Sequence, residues 1–282
     1  MFTGASAGAP DHRAHLDASD VRVAVGERVS LRGQFPGAVE APLEIRYREN
    51  GERRWETVAR GKTGASGRYR VGVRPRRSGY WRAQLSLSGS QPVDRDTASE
   101  RISVRSRVKA RVSSHNALVG RSLKIRGKVS PAGAERRVVV RVGNSEQTVQ
   151  AGRDGAFSLR WRAPATGSYP VRVAARPNRI ATGSRDSAGK VTVYRPAVAS
   201  WYGPGLYGNN LGCGGTLTPS TIGVAHKTLP CGTKLRLRYR GRSVDVRVID
   251  RGPYSGNREF DLTSATKQRL GFPDVGTVLT SR

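Results

Sequence analysis

Within the last third of this 282-residue sequence, two carboxylates and a histidine stand among short alternating segments, and these are the residue types that move protons. Val244, Val246 and Val248 alternate with polar residues and lead into Asp250-Arg251-Gly252-Pro253. A period of two predicts that Asp250 shares the apolar face of a strand, at the point where the strand ends. Desolvation there raises a carboxyl pKa and suits a general acid, while the neighbouring Arg251 pulls the other way. Asp261, in Glu259-Phe-Asp-Leu-Thr263, has two readings: a helix N-cap, or a second carboxylate that shares acid and base work with Asp250. His226 also has two, a group that orients or polarises the site and a satisfied polar residue that braces the fold.

The elements that must position these groups are short. Leu235, Leu237 and Tyr239 alternate, an Arg240-Gly241 turn follows, and Val244 to Val248 alternate in return, which predicts a β-hairpin with one apolar face. Ser264 to Leu270 reads as a short helix capped by Thr263 or Asp261 and stopped by Gly271. Cys213 and Cys231 form an even count in a Gly-rich, β-rich segment and point to a disulfide and an oxidising compartment. Such a bridge closes a loop of about 18 residues and contributes roughly 3 kcal/mol in the chain-entropy account. Zinc is not expected, because a structural site takes four ligands and no Cys-x-x-Cys spacing exists. No other cofactor is implied. Gly203-Pro-Gly205-Leu-Tyr-Gly208 fits a dinucleotide fingerprint on paper, but Asn209 to Gly215 reads as continuing loop where that motif needs a helix.

Upstream, Val25-Gly-Glu-Arg-Val-Ser-Leu-Arg-Gly33 aligns with Val119-Gly-Arg-Ser-Leu-Lys-Ile-Arg-Gly127, and Gly67-Arg-Tyr69 with Gly155-Ala-Phe157. Alternating runs such as Leu43, Ile45, Tyr47 and Tyr69, Val71, Val73 are separated by turn residues every 8 to 12 positions. The repeat therefore predicts tandem antiparallel sandwiches, similar to the immunoglobulin-like modules of bacterial surface proteins. The expected organisation is a flexible segment over 1–17, sandwiches over 18–105 and 106–194, and a different domain over 199–282. Arg195-Pro196-Ala197 is expected to end the second repeat, since Pro cannot donate to a ladder. Neither repeat contains Cys, so Trp55, Trp81 and Trp161 are expected to pack their cores. His12, His15 and His115 are isolated and read as solvated loop residues.

The formal charge is +29, with 50 Lys plus Arg against 21 Asp plus Glu, and it favours an anionic partner. Residues 1–196 carry net +22 and residues 197–282 net +7, so the excess is spread over the fold and is not a basic tail. No apolar run approaches the roughly 18 residues of a membrane span. The first twenty residues have neither a basic start nor an apolar stretch and do not read as a secretory signal.

Four segments carry a family resemblance: Ala199-Ser-Trp-Tyr-Gly203, Gly223-Val-Ala-His226-Lys-Thr-Leu-Pro-Cys-Gly-Thr233, Val248-Ile-Asp250-Arg-Gly-Pro253 and Phe260-Asp-Leu-Thr263. In order and spacing they resemble the rare lipoprotein A (RlpA) double-psi β-barrel domain, and more distantly expansins and family 45 glycoside hydrolases. The resemblance covers 199 to about 280 and implies a C-terminal double-psi β-barrel, which together with the two Ig-like sandwiches read from the repeat makes an all-β chain. It further implies a peptidoglycan lytic transglycosylase, which cleaves between N-acetylmuramic acid and N-acetylglucosamine and closes a 1,6-anhydro ring. Asp250, His226 and Asp261 fall on the family's catalytic positions. The sequence departs from the family where a Glu usually stands eleven residues before the His; that position is Gly215.

One carboxylate can protonate the leaving oxygen and return as base toward the sugar 6-hydroxyl, whereas hydrolysis normally takes two, so the pattern suits a lyase better than a hydrolase. Trp201 and Tyr202 offer sugar-stacking faces or core packing, Tyr254 is the better exposed aromatic, and Arg251 joins them as a substrate-binding residue. The expected function is that of a secreted wall enzyme, extracellular or in the cell wall and monomeric. Its partners would be peptidoglycan and anionic wall polymers such as phosphate-rich teichoic acids, with charge retaining it there. The alternative is a non-catalytic, expansin-like wall-binding protein. Nucleic-acid binding follows from charge alone, and no specific nucleic-acid motif supports it.

Overall fold

The computed structural model describes residues 13–86, 96–133 and 135–282. His12 and most of the segment expected to be flexible lie outside the described residues. That segment's last part is a strand: β1 (His15–Ala18) pairs with residues 31–34, because Leu16 enters the core while His15 and Asp17 face out.

The first sandwich contains β1, β2 (Arg22–Ala24), β3 (Val29–Gln34), β4 (Pro42–Glu49), β5 (Glu56–Lys62), β6 (Arg68–Val73), β7 (Gly79–Leu85) and β8 (Glu100–Arg105). A three-stranded sheet, β1-β3-β6, faces a five-stranded one, β2-β8-β7-β4-β5. The second sandwich repeats the plan with β9 (Arg107–Val112), β10 (Asn116–Leu118), β11 (Ser122–Ser130), β12 (Arg137–Val142), β13 (Ser145–Gln150), β14 (Ala156–Arg162), β15 (Gly167–Ala175) and β16 (Ser184–Tyr202). Its three-stranded sheet is β14-β11-β9, and β13-β12-β15-β16 with β10 forms the other layer.

The repeated Gly33 and Gly127 have a steric cause. Each lies opposite an aromatic of the next strand, Tyr69 and Phe157. A Cβ at either glycine would strike backbone of the facing strand, at His15 O or Lys109 O. Trp81 and Trp161 are buried in the two cores, as expected from the sequence. Trp55 is not: it stays outside the core, with the guanidinium groups of Arg48 and Arg82 at 5.0 and 4.4 Å from its ring. Stacking against cations gives this ring favourable contact without full burial.

The chain does not break at Pro196. Strand β16 leaves β15 after Val193 and continues as the first strand of the C-terminal domain, which adds β17 (Val224–His226), β18 (Lys234–Tyr239), β19 (Arg242–Asp250), β20 (Phe260–Thr263), α1 (Ser264–Leu270) and β21 (Gly276–Thr280). Pairing runs β16-β20-β17-β19-β18-β21, and β21 pairs back onto β16. Pro196 lies opposite Leu279 of β21 before β20 joins on the other side at Ala199. There its missing N–H breaks no ladder on the unpaired side. Ala199, Val224, Leu237, Val248, Phe260, Leu262 and Val278 fill the core with no exposed surface.

The expected hairpin is β18–β19, and its two turn residues both have positive φ, Arg240 at 42° and Gly241 at 88°. This is the backbone that matches the twist of paired strands. Thr263 caps α1 through its side chain on Thr266 N, and Gly271 ends the helix in the left-handed region at φ 61°. The cap is therefore Thr263, which leaves the Asp261 carboxylate for other contacts.

Candidate active site

Three adjacent strands carry the carboxylates at one level of the sheet. Ala225 of β17 registers with Asp261 of β20 on one side and with Asp250 of β19 on the other. The register slips between these strands: Val224 pairs with Val248 but Ala225 pairs with Asp250, so Ile249 is an extra residue. This bulge corrects the expectation that Asp250 follows Val248 onto the apolar face. An inserted residue resets the alternation and re-aims the side chain that follows it. Asp250 thereby comes level with Ala225 and Asp261 instead of with His226 and Phe260, where an unbroken register would put it.

Asp250 is fixed by backbone. Gly212 N donates to its Oδ1 at 2.7 Å and Arg251 N to the same oxygen at 2.8 Å. Among the described residues both of these amides fall on Oδ1, and the Tyr202 hydroxyl is a side chain that reaches the same carboxylate. A Cβ at Gly212 would lie 3.0 Å from both Asp250 Oδ1 and Arg251 Cγ, so a side chain there would have to push the carboxylate or the loop aside. The loop that brings Gly212 in is tied to β19 by Cys213 N donating to Ile249 O at 3.2 Å and by the Cys213–Cys231 disulfide.

Asp261 accepts a 2.6 Å hydrogen bond from Ser200 Oγ, its register partner on β16. Burial raises its pKa above the usual carboxylate value, the Asp250 charge adds to that rise, and the Ser200 bond and Arg258 only partly oppose it. Tyr202, two residues after Ser200 on the same face, turns its ring to the pair. Burial pushes its phenol far above the ordinary value, and the charges of Asp250 and Asp261 push the same way. The hydroxyl is buried and interacts with the Asp250 carboxylate, which also raises its pKa, although the contact falls short of good hydrogen-bond geometry.

His226 belongs to a different group. Its Nδ1 accepts from Thr228 N at 3.1 Å and Leu229 N at 3.0 Å, so the proton sits on Nε2, which faces Glu259 Oε1 at 3.7 Å. Burial lowers the His226 pKa; Glu259 opposes this, and Arg195 and Arg251 reinforce it. Glu259 in turn is gripped by both terminal nitrogens of Arg195, one at 2.7 Å. Burial works against its carboxylate, yet Arg195 and His226 outweigh that and hold its pKa below the usual range. A pocket of about 580 Å³ opens beside His226 and Glu259 and is lined by neither Asp250 nor Asp261. Glu259 was visible in the sequence only as the acid two residues before Asp261, and Ser200 only as the residue two before Tyr202.

The residues expected to bind substrate separate. The guanidinium of Arg251 turns inward, donating to His226 O and Leu229 O at 3.2 and 2.8 Å, with Cys231 Sγ 3.0 Å away. It clamps the 226–231 turn. Trp201 packs against the core, donates Nε1 to Asp274 at 2.8 Å, and has the Lys267 ammonium 3.7 Å from its ring centroid. That ring face is covered. Tyr254 is 79% exposed and open to a ligand. Gly215, where the resemblance places a Glu, has φ 83° and nothing within 4 Å of a built Cβ.

Residues 196–280 match a family model described as lytic transglycolase. The probable endolytic peptidoglycan transglycosylase RlpA of Synechocystis sp. is 36% identical over 93 residues, covering 32% of this chain and 29% of the relative. The endolytic peptidoglycan transglycosylase RlpA of Neisseria meningitidis is 43% identical over 81 residues, 28% of this chain and 34% of the relative. A probable RlpA of Nostoc sp. is 35% identical over 123 residues, 42% of this chain and 31% of the relative. The chain thus spans about a third of the length of these curated relatives. The C-terminal domain, in which β16 is shared with the preceding Ig-like sandwich, is an RlpA-like double-psi β-barrel domain.

Proposed function

We propose that the protein is a peptidoglycan lytic transglycosylase of the cell envelope or its exterior. The observation that carries this reading is the pair Asp250 and Asp261 at one level of the sheet, Asp250 held by two backbone amides and Asp261 bonded to the Ser200 hydroxyl and pushed by burial toward its neutral form. Neighbouring carboxylates whose surroundings differ divide acid from base work. Asp261 gives its proton to the glycosidic oxygen as the bond to the N-acetylmuramic acid C1 breaks. Asp250, held by two amides, takes the proton of the 6-hydroxyl as that oxygen closes on C1. One proton leaves the pair and one returns, so the products are a 1,6-anhydro end and a free 4-hydroxyl, with no water consumed. Tyr202 supplies a hydroxyl aimed at this centre, and Tyr254 a stacking face. His226, Arg251 and the disulfide hold the turns that support it. The cationic sandwiches retain the protein on anionic wall polymers.

The test is mass spectrometry of purified sacculi treated with the full chain and with Asp250→Asn. Anhydro-muropeptides from the parent and none from the variant support the reading; equal release from both overturns it. Gly215 favours a second reading, a non-catalytic wall-binding protein, because the carboxylate usual in the family is absent there. Sedimentation with sacculi and no anhydro product from the parent would establish that one instead.

A further inference from the structure

The two sandwiches share an architecture but not the charge of their three-stranded sheets. On the outward face of β14-β11-β9, Arg126 lies directly opposite Arg111, Lys128 opposite Lys109, and Lys124 opposite Arg160. Arg107 and Arg162 extend the face at its ends, opposite Ser130 and Ser122. All eight cations are exposed, since the alternate residues Val108, Leu123, Ile125, Val129, Phe157 and Trp161 fill the core beneath. Of the eight, among the described residues, Lys109 alone forms an ion pair, with Asp186 at 3.2 Å. Asp154 is the other acid at the edge of the shallow depression of about 710 Å³ that crosses this face.

Like charges directly opposite each other on a sheet are destabilising. In the corresponding sheet of the first sandwich the like-charged pair Arg32 and Arg70 is offset by Asp17 on the other side of Arg32, and Gln34 stands opposite Arg68. The second sandwich keeps three like-charged pairs in succession. We propose that this face is a docking surface for a linear polyol-phosphate chain, a flexible phosphodiester polymer that carries no bases. Cations recur about 6.8 Å apart along each strand and about 4.8 Å apart across strands, which presents a flat two-dimensional lattice of charge to a flexible chain. Arginine suits phosphate through its paired N–H groups. The face has no outward aromatic on which nucleobases could stack, so the contacts are with the charged backbone of the polymer. This rests on the wall-retention part of the function proposed above, and it assigns that role to one surface.

The experiment uses the full chain and a poly(glycerol phosphate) probe, with poly-L-glutamate and duplex DNA as competitors at equal charge. One variant carries Arg111→Gln, Lys124→Gln, Arg126→Gln and Lys128→Gln. A control variant of the same net charge carries Arg53→Gln, Arg54→Gln, Arg68→Gln and Arg70→Gln. The first variant should lose binding, with the slope of log K against log salt shallower by about 3 for four lost contacts at about 0.7 each. Its thermal midpoint should not fall, because like-charge pairs have been removed. The control should bind as the parent does. Equal weakening by the control, or tighter binding of poly-L-glutamate or duplex DNA than of the probe, overturns the proposal. Release of anhydro-muropeptides from phosphate-stripped sacculi is measured in parallel. Its loss in the parent would remove the enzymatic reading while leaving the binding result to stand or fall by itself.

Discussion

Asp250 and Asp261 flank a single residue, Ala225, on three neighbouring strands, and Asp261 receives a side-chain hydrogen bond from Ser200. That bond stabilises the ionised carboxylate and so works against the rise that burial imposes. Removing it as Ser200→Ala should raise the Asp261 pKa further. If Asp261 is the acid, activity is present below its pKa and lost as pH rises through it. The alkaline limb of the pH–rate profile should therefore move to higher pH in Ser200→Ala. A limb that stays in place or moves down would remove Asp261 from the proton path. The profile is read from anhydro-muropeptide release.

Gly212 delivers one of the two amides on Asp250, and a Cβ there would fall 3.0 Å from the carboxylate oxygen, a tight contact that one of the two must relieve. Gly212→Ala should displace the loop while the Cys213–Cys231 bridge keeps it attached. Misplacement by about 1 Å costs up to about 100-fold in rate. The expected outcome is a loss of that order in kcat with the thermal midpoint of the barrel nearly unchanged. Full activity in this variant would show that the amide has no part in placing Asp250.

The His226 ring ties its turn together through Nδ1, which can accept only while unprotonated. Its folded pKa is lowered, so the neutral form is the one the fold prefers. The associated stability is complete above the unfolded value of about 6.5 and is lost as pH falls from there toward the folded value. Glu259, also lowered, contributes above about 4.5 and loses its contribution as pH falls through its folded pKa. Hydrogen-exchange protection of the Thr228 and Leu229 amides should decline on acidification below about pH 6.5. Protection that holds unchanged to pH 4 would contradict the assignment of Nδ1 as acceptor. Arg195→Met should weaken the Glu259 arm and cost about 1–2 kcal/mol at pH 7, less than a fully buried pair because both side chains are partly exposed.

The hairpin β18–β19 was legible because its alternation runs unbroken on both sides of Arg240-Gly241, and α1 because Thr263 and Gly271 are strong local signals at its ends. The aim of Asp250 was not legible. Parity counting assumes one residue per step, and the inserted Ile249 becomes visible only when β17 is laid beside β19. Arg195 and Glu259 are 64 residues apart in sequence and meet only because β16 and β20 are parallel neighbours. Pro196 looked like a terminator for a similar reason. Its tolerance depends on which side of β16 is unpaired there, a property of the assembled sheet and not of the dipeptide.

The same strand sets a length. From Ser184 to Tyr202, β16 spans 19 residues, about 60 Å at roughly 3.3 Å each, and runs from the second sandwich to the edge of the carboxylate pair without an intervening linker. A flexible tether would let the barrel sample a sphere of positions around its anchor. Here one strand passes from the ladder of the sandwich at Val193 to the ladder of the barrel at Arg195, so the two domains are joined by hydrogen-bonded backbone and a hinge would have to break pairing in one of them.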